Sequence, residues 1–195
     1  MPEFPTHTPE TAPEASRPAL AELRAKRGFV PNLHARLAEA PVALQAYTGL
    51  VALVAASSLT AAEQQVVYMT ANVIHECEYC TAGHSALARN AGLDEAAIEA
   101  LREGGPLADP RLQALRAFTA AVVLERGRVQ PGELDGFLAA GFTRAQVLEV
   151  LVAVAAKTIS NYANRIAGTP LDAFMAKTAW VAPSRRHAAA AAAAA

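Results

Sequence analysis

The sequence predicts an all-α fold built of many helices, on three observations. Hydrophobic residues make up 53% of 195 while aromatics make up only 6%, and alanine is abundant. Alanine costs no side-chain entropy in a helix and favours close helix packing. Strand-like alternation bounded by Gly or Asn-Gly turns is absent. Capping residues, helix-starting prolines and terminating glycines recur at helix-length intervals. The length suits one domain, or one domain made of two similar halves.

Taken in order, residues 1–17 read as a disordered or extended segment, because Pro2, Pro5, Pro9 and Pro13 punctuate acids and threonines. Up to Pro18 there is no apolar core region, so the stretch does not read as a signal peptide. A single all-helical domain is expected over 18–180. Pro31 and Pro41 bracket a short helix, Asn32 to Ala40, and a longer apolar helix follows over about Val42 to Ser57. Thr60 offers an N-cap and Glu63, three residues on, completes a capping box for a helix to about Ile74. The segment holding Cys77 and Cys80 opens the next helix, which ends near Asn90-Ala91-Gly92. Asp94 caps a short helix to Glu103, and Gly104-Gly105-Pro106 breaks the chain. Pro110, after Asp109, takes the first position of a helix to about Arg126. Pro131 to Ala140 forms another, closed by Gly141. Thr143 caps a long helix through Arg165, ended by Gly168-Thr169-Pro170. A last helix spans Leu171 to about Thr178. Residues 181–195 read as a low-complexity tail, set aside from the functional argument.

An internal echo appears at an offset of about 83 residues. Leu59-Thr60-Ala61-Ala62 resembles Phe142-Thr143-Arg144-Ala145, Val67 matches Val150, and Tyr79 matches Tyr162. In that register Cys77 and Cys80 fall opposite Ser160 and Ala163. Two readings stand side by side: a duplicated helical unit in which one copy kept thiols, or chance similarity of alanine-rich helices.

Composition narrows the function. The formal net charge is -1, and no basic run suggests nucleic acid. No stretch approaches the ~20 apolar residues of a membrane helix. The longest apolar window, Val147 to Ala156, is interrupted by Glu149. A soluble, cytoplasmic protein is expected. Apolar area beyond what one protomer can bury points to a homo-oligomer.

The chain holds two cysteines, both in Cys77-Glu78-Tyr79-Cys80-Thr81-Ala82-Gly83-His84. A CxxC pair in a reducing compartment suits metal binding or redox chemistry better than a structural disulfide. On a helix Cys77, Cys80 and His84 share one face. A helix beginning near Glu76 places both sulfurs in its first turn, where unpaired N–H groups stabilise a thiolate. Cys80 is then the candidate nucleophile toward a peroxide, Cys77 the resolving thiol, and His84 the group that takes the Cys80 proton. A zinc site of Cys77, Cys80, His84 and His75 competes with this, as do two inert buried cysteines. A thioredoxin fold would need a βαβ context that the chain lacks.

Glu76-Cys77-Glu78-Tyr79-Cys80-Thr81-Ala82-Gly83-His84, preceded by Leu59-Thr60-Ala61-Ala62-Glu63, resembles the core of the alkylhydroperoxidase D-like family, part of the carboxymuconolactone decarboxylase superfamily. Gly28-Phe29-Val30-Pro31-Asn32-Leu33, Asn161-Tyr162-Ala163-Asn164 and Thr169-Pro170-Leu171-Asp172 fit the same family, and the resemblance covers about residues 20 to 175. It implies an all-helical alkylhydroperoxidase D-like bundle, a homo-oligomer, and a thiol peroxidase that reduces alkyl hydroperoxides. It also implies an attacking Cys80, a resolving Cys77, a relay His84, and a lipoyl-carrying or thioredoxin-like reductant. No cofactor or resident metal is implied. The family's relay glutamate falls at Gln65, which cannot accept a proton; Glu63 reads as the capping-box acid. Tyr79 stands where well-known members have a histidine, and either packs or orients a substrate or thiol. The decarboxylase branch fits less well, because its chemistry does not use a CxxC pair. The alternative to an enzyme is a helical oligomer that binds a small molecule or partner, its cysteines acting as a redox- or metal-responsive switch.

Outside the motif, His34 reads as a surface or packing residue, and His75 as a helix cap or a tuner of Cys77. Lys157, Asn161 and Asn164 share one helix face, a polar stripe that either satisfies buried backbone ends or lines a pocket, and read first as structural. Trp180 is expected to anchor the tail or an oligomer contact.

Overall fold

The caps and breaks decide where helices start and stop. The structure is a computed structural model that describes residues 4–193; residues 1–3 of the N-terminal segment and 194–195 of the tail lie outside the described residues. Among the described residues there are α-helices and short 3-10 turns but no strand, as expected. Helix α1 (Arg17–Arg27), to which the sequence reading gave no bounds, has Pro18 in its first turn. It ends at Gly28, whose φ of 80° is left-handed. Helix α2 (Asn32–Leu37) stops short of Ala40. A residue before proline avoids the helical region, and Ala40 is extended so that Pro41 can open α3 (Pro41–Ala55). Helix α4 (Ala61–Ile74) carries the expected capping box: Glu63 N–H donates to Thr60 Oγ1 at 3.2 Å, and Thr60 N–H to Glu63 Oε2 at 2.8 Å.

Helices α5 (Glu78–Asn90), α6 (Glu95–Arg102), α7 (Pro110–Leu124), α8 (Pro131–Ala139) and α9 (Arg144–Ala167) follow. Asp94 and Asp109 accept first-turn N–H groups, as their positions predict. Helix α7 stops before Arg126, which turns the chain with a φ of 55°. The helix expected from Leu171 is a 3-10 segment, Ala173–Thr178. The low-complexity tail carries a helix, α10 (Pro183–Ala193), pinned by Ser184 to Glu76, Arg185 to Glu78 and Arg186 to Glu103. Residues 4–13 drape over the body: Ala12 is buried, and farther on Ser16 Oγ donates to Ala38 O at 2.8 Å.

Helix α4 is the hub, packing against α7, α5 and α9, while α3 lies along α9. Two cores result. In the first, Val66, Val67 and Met69 of α4 meet Leu101, Leu115 and Val150. There Phe118, Phe137 and Phe142 stack in a row at 4.4 Å between neighbouring centroids. In the second, Leu20, Leu33, Leu44 and Tyr47 close over Cys77, Cys80 and Met175. The cysteines therefore sit inside an apolar core, at the corner between α4 and α5.

The two halves of the echo begin alike and then differ. Thr143 and Gln146 repeat the capping box of Thr60 and Glu63. The first half breaks at Glu76, whereas α9 runs unbroken through the equivalent Ile159. No single helix among the described residues is long and apolar enough to cross a membrane; α8 and α9 meet that test only as a pair bent by 112°.

Candidate active site at the α4–α5 corner

Glu76 makes the corner. Its φ of 52° lies in the left-handed region, so α4 cannot continue and α5 begins two residues later than the spacing suggested. Cys77 is extended and caps α5, its Sγ accepting the Cys80 N–H at 3.4 Å. Cys80 follows as the third residue of that helix. Both cysteines are free thiols and both are buried. They sit at the positive end of α5, where the first N–H groups have no helical partner.

Helix α9 supplies the other wall, through a polar stripe at i, i+3, i+4 and i+7. Asn164 Nδ2 donates to Cys80 Sγ at 3.2 Å and lies 3.9 Å from Cys77 Sγ. Ser160 Oγ is 3.7 Å from Cys80 Sγ. Asn161 bonds His75 Nδ1 at 2.9 Å and Asn72 at 2.9 Å. Lys157, only 1% exposed, reaches His84 Nε2 at 2.9 Å. The structural role expected for Lys157, Asn161 and Asn164 is thus corrected. The stripe faces the thiols and the histidines around them, and Ser160 joins it. Its signal in the sequence was a buried-helix lysine with no acid at helical spacing to pair with it.

His84 is placed differently from the expectation. Its ring nitrogens meet Lys157 and Gln65, not Cys80. Lysine only donates, so Nε2 accepts; Nδ1 then carries the proton and donates to Gln65 Oε1 at 2.8 Å. Burial and the Lys157 charge hold His84 well below the usual imidazole range, which keeps it neutral. The four residues weighed as zinc ligands do not converge, because His75 is committed to Asn161 and His84 to Gln65 and Lys157.

The two thiols are pushed apart electrostatically. Its hydrogen bond with Cys80 and burial both raise Cys77. Burial also raises Cys80, but the hydrogen bond from Cys77, the Lys157 charge and the Ser160 hydroxyl outweigh it and hold Cys80 below the usual thiol range. Among the described residues no carboxylate pairs with Lys157. Its charge acts on the Cys80 thiol, which lines the same cavity.

The supporting residues divide. Gln65 belongs to the site through His84. Glu63 does not: besides its capping bond it accepts Arg111 Nε at 2.9 Å, and the pair locks α4 to α7. The Tyr79 hydroxyl donates to Asp172 and accepts Leu33 N–H at 3.3 Å, so it orients neither a thiol nor a substrate. It ties α5 to α2 and to the chain after α9. Trp180 Nε1 donates to Arg102 O at 3.0 Å and anchors the chain leading into the tail. His34, read as a surface or packing residue, packs its ring at a tilt against Tyr47 and also lines the cavity that Cys80 lines.

Each thiol opens onto its own cavity. Cys80, His84 and Lys157 line a largely apolar one of about 70 Å³ together with Leu87, Phe174 and Met175. Cys77 lines a polar one of about 330 Å³ with Asn164, Arg165, Thr169, Ser184 and Arg185. Tyr79 stands between the two.

Residues 41–121 match the family model described as the carboxymuconolactone decarboxylase family. No curated protein matches the sequence. Among solved structures, the alkylhydroperoxidase AhpD core, an uncharacterized peroxidase-related protein from Ralstonia eutropha, superposes with a TM-score of 0.78 at 20% identity, covering 89% of this chain and 93% of its own. An uncharacterized peroxidase-related protein from a Silicibacter species gives 0.75 at 20% identity, covering 89% and 92%. The debrominase Bmp8, in complex with 2,3,4-tribromopyrrole, gives 0.69 at 16% identity, covering 85% and 89%. At these identities the likeness establishes the shared all-helical fold.

Proposed function

We propose that this chain, whose residues 41–121 match the carboxymuconolactone decarboxylase family model and which shares the all-helical fold of the alkylhydroperoxidase AhpD core, is a thiol peroxidase working through Cys80 and Cys77. The observation that carries this reading is the asymmetry of the pair. Cys80 accepts Asn164 Nδ2 at 3.2 Å, lines one cavity with Lys157 and is held below the usual thiol range, while Cys77, three residues away, is held above it. An inert pair of core cysteines has no need of that arrangement, and a buried cation with no carboxylate is costly without it.

The steps follow from the positions. The Cys80 thiolate attacks the distal oxygen of a hydroperoxide in the small cavity; the O–O bond breaks and the sulfur becomes a sulfenic acid. The leaving alkoxide takes a proton from Lys157, which His84 Nε2 holds in place. The Cys77 sulfur then attacks Cys80, forming the disulfide and releasing water. At about 70 Å³ the cavity has room for a peroxide group and a few carbons rather than for a ring. Cys80 needs no separate base in this scheme, which removes the difficulty posed by Gln65 at the family's glutamate position.

The protein is further proposed to act as a homo-oligomer. Leu53 of α3 and Leu148, Leu151 and Ile166 of α9 are exposed. The end of α3 and the start of α9 are drawn together where Ser58 N–H donates to Glu149 at 3.0 Å, so Leu53, Leu148 and Leu151 form part of one apolar face.

The test is peroxide consumption with a dithiol reductant. Wild type is expected to turn over many equivalents of tert-butyl hydroperoxide, Cys77→Ser to react once and stop as a sulfenic acid or mixed disulfide, and Cys80→Ser to do nothing. Consumption by Cys80→Ser equal to wild type would sink the assignment.

A further inference from the structure

Each cavity touches one sulfur and not the other. Cys80 faces the apolar cavity beside α1, α2 and α3, and Cys77 faces the polar cavity under α10. The polar cavity is several times larger, and two of its lining residues hold unspent hydrogen-bonding capacity. Asn164 Oδ1 and Thr169 Oγ1 are both buried and both lack a protein partner, and the Asn164 side chain is 95% buried. Buried polar atoms are rarely left unsatisfied in a folded protein, so these two mark a place where a polar molecule sits. Arg165 and Thr169 give that place donors, and Glu76 and Glu78, on its rim, are already paired with α10.

We propose that the polar cavity is the site of the reducing thiol, so that oxidant and reductant reach the cysteine pair from opposite sides and regeneration begins on Cys77. This rests on the thiol-peroxidase reading and adds the route of its second half. A thiol carried on a narrow polar arm, with an amide that Asn164 Oδ1 and Thr169 Oγ1 can bond, enters beside Arg165. Its thiolate attacks Cys77 Sγ. The Cys77–Cys80 bond breaks, a mixed disulfide forms on Cys77, and the electron pair leaves on Cys80. The incoming thiol releases its proton to solvent in the polar cavity, Cys80 leaves as the thiolate, and Lys157 regains from solvent the proton it gave to the alkoxide. A second thiol attacks the mixed disulfide, leaves as a disulfide with the first, and frees the Cys77 thiol. Thiol–disulfide exchange is faster when the departing sulfur has the lower pKa, and attack from this side makes Cys80 the departing sulfur. Attack from the other side would expel Cys77, the poorer leaving group, and would have to pass through a cavity too small for the reductant.

The experiment begins from full-length protein oxidised with diamide, which makes the disulfide without any peroxidase step. One equivalent of N-acetylcysteine amide is added with excess iodoacetamide, and peptides are mapped by mass spectrometry. The expected product carries the probe on Cys77 and the alkyl group on Cys80; the reverse pattern overturns the proposal. Two cavity-filling variants provide a second readout. Thr169→Trp should slow reduction of the disulfide by about tenfold while leaving oxidation by tert-butyl hydroperoxide within about twofold, and Leu87→Trp should do the opposite. If Thr169→Trp leaves reduction unchanged, the polar cavity is not the reductant's route. If the wild-type thiols ignore hydroperoxide altogether, the peroxidase reading falls, and the diamide-oxidised protein still decides which sulfur the reductant attacks.

Discussion

Lys157 donates to His84 Nε2 across 2.9 Å inside the protein, no carboxylate among the described residues pairs with it, and its charge lowers the thiol of Cys80, which lines the same cavity. After the hydrogen bond from Cys77, the Lys157 charge is the largest influence that lowers the Cys80 thiol.

Lys157→Met should therefore raise the pH at which Cys80 becomes reactive by roughly one to three units, the usual effect of an opposite charge at close range. The check is the pH profile of iodoacetamide alkylation at Cys80. Because a buried ion is replaced by an apolar side chain of similar length, reduced Lys157→Met should unfold no more easily than wild type. A variant with an unshifted profile would remove Lys157 from the mechanism.

The two thiols should titrate in opposite directions. Cys80 should alkylate at pH values below the ordinary thiol range and Cys77 only above it, read by site-resolved mass spectrometry. The sign for stability follows. A thiol whose pKa falls on folding contributes stability that is complete above its unfolded value, about 8.5, and is lost as pH falls through its folded value. Against a Cys80→Ala control, wild type should lose its relative advantage on acidification through that window. A constant difference across it would contradict the assignment.

Gln65 and Glu63 sit two residues apart and should behave differently. Glu63→Ala breaks the capping box and the Arg111 pair, and should cost about 2 kcal/mol in urea denaturation with the Cys80 alkylation profile unmoved. Gln65→Leu removes the acceptor for His84 Nδ1 and should disturb that profile. A profile shift in Glu63→Ala would show that the acid acts on the thiols after all.

Tyr79→Phe should cost about 1–3 kcal/mol, since the Asp172 carboxylate loses a buried donor and Leu33 N–H an acceptor. Equilibrium denaturation measures this, and the order in which the two cysteines alkylate should stay as in wild type. A cost near zero would mean that the tyrosine does not tie the three segments together.

Leu53→Lys combined with Leu148→Lys should convert an oligomer to monomer in light scattering, with helical circular dichroism retained. A wild-type protein already monomeric at micromolar concentration would end the oligomer proposal.

The sequence was legible wherever local chemistry decides the outcome. Thr60 with Glu63, Asp94, Asp109 and Thr143 announced their helices because a cap is satisfied within one turn. Cys77 and Cys80 stood out because type and spacing carry the signal together. The partner of His84 was not legible, because it comes from 73 residues away. Spacing alone pointed His84 at Cys80, its neighbour on one helix face, whereas tertiary packing turned the ring toward Lys157. Glu76 was equally opaque: nothing in a glutamate foretells a φ of 52°, and only the corner it makes explains why α5 begins where it does. The two bonds of the Tyr79 hydroxyl reach 46 and 93 residues along the chain, beyond any local pattern.

The missing carboxylate beside Lys157 has a consequence for the whole fold. Once Cys80 and Cys77 join, no thiolate is left to balance the lysine in the core. A covalent bridge between residues this close in sequence restricts the unfolded chain only slightly, so little offsets that cost. The disulfide form should then melt at a lower temperature than the dithiol form, by a margin that disappears in Lys157→Met. Scanning calorimetry of both forms would show it. Cross-linking would loosen this protein where it usually tightens one, and the oxidised state would be marked by its heat sensitivity until a reductant removed it.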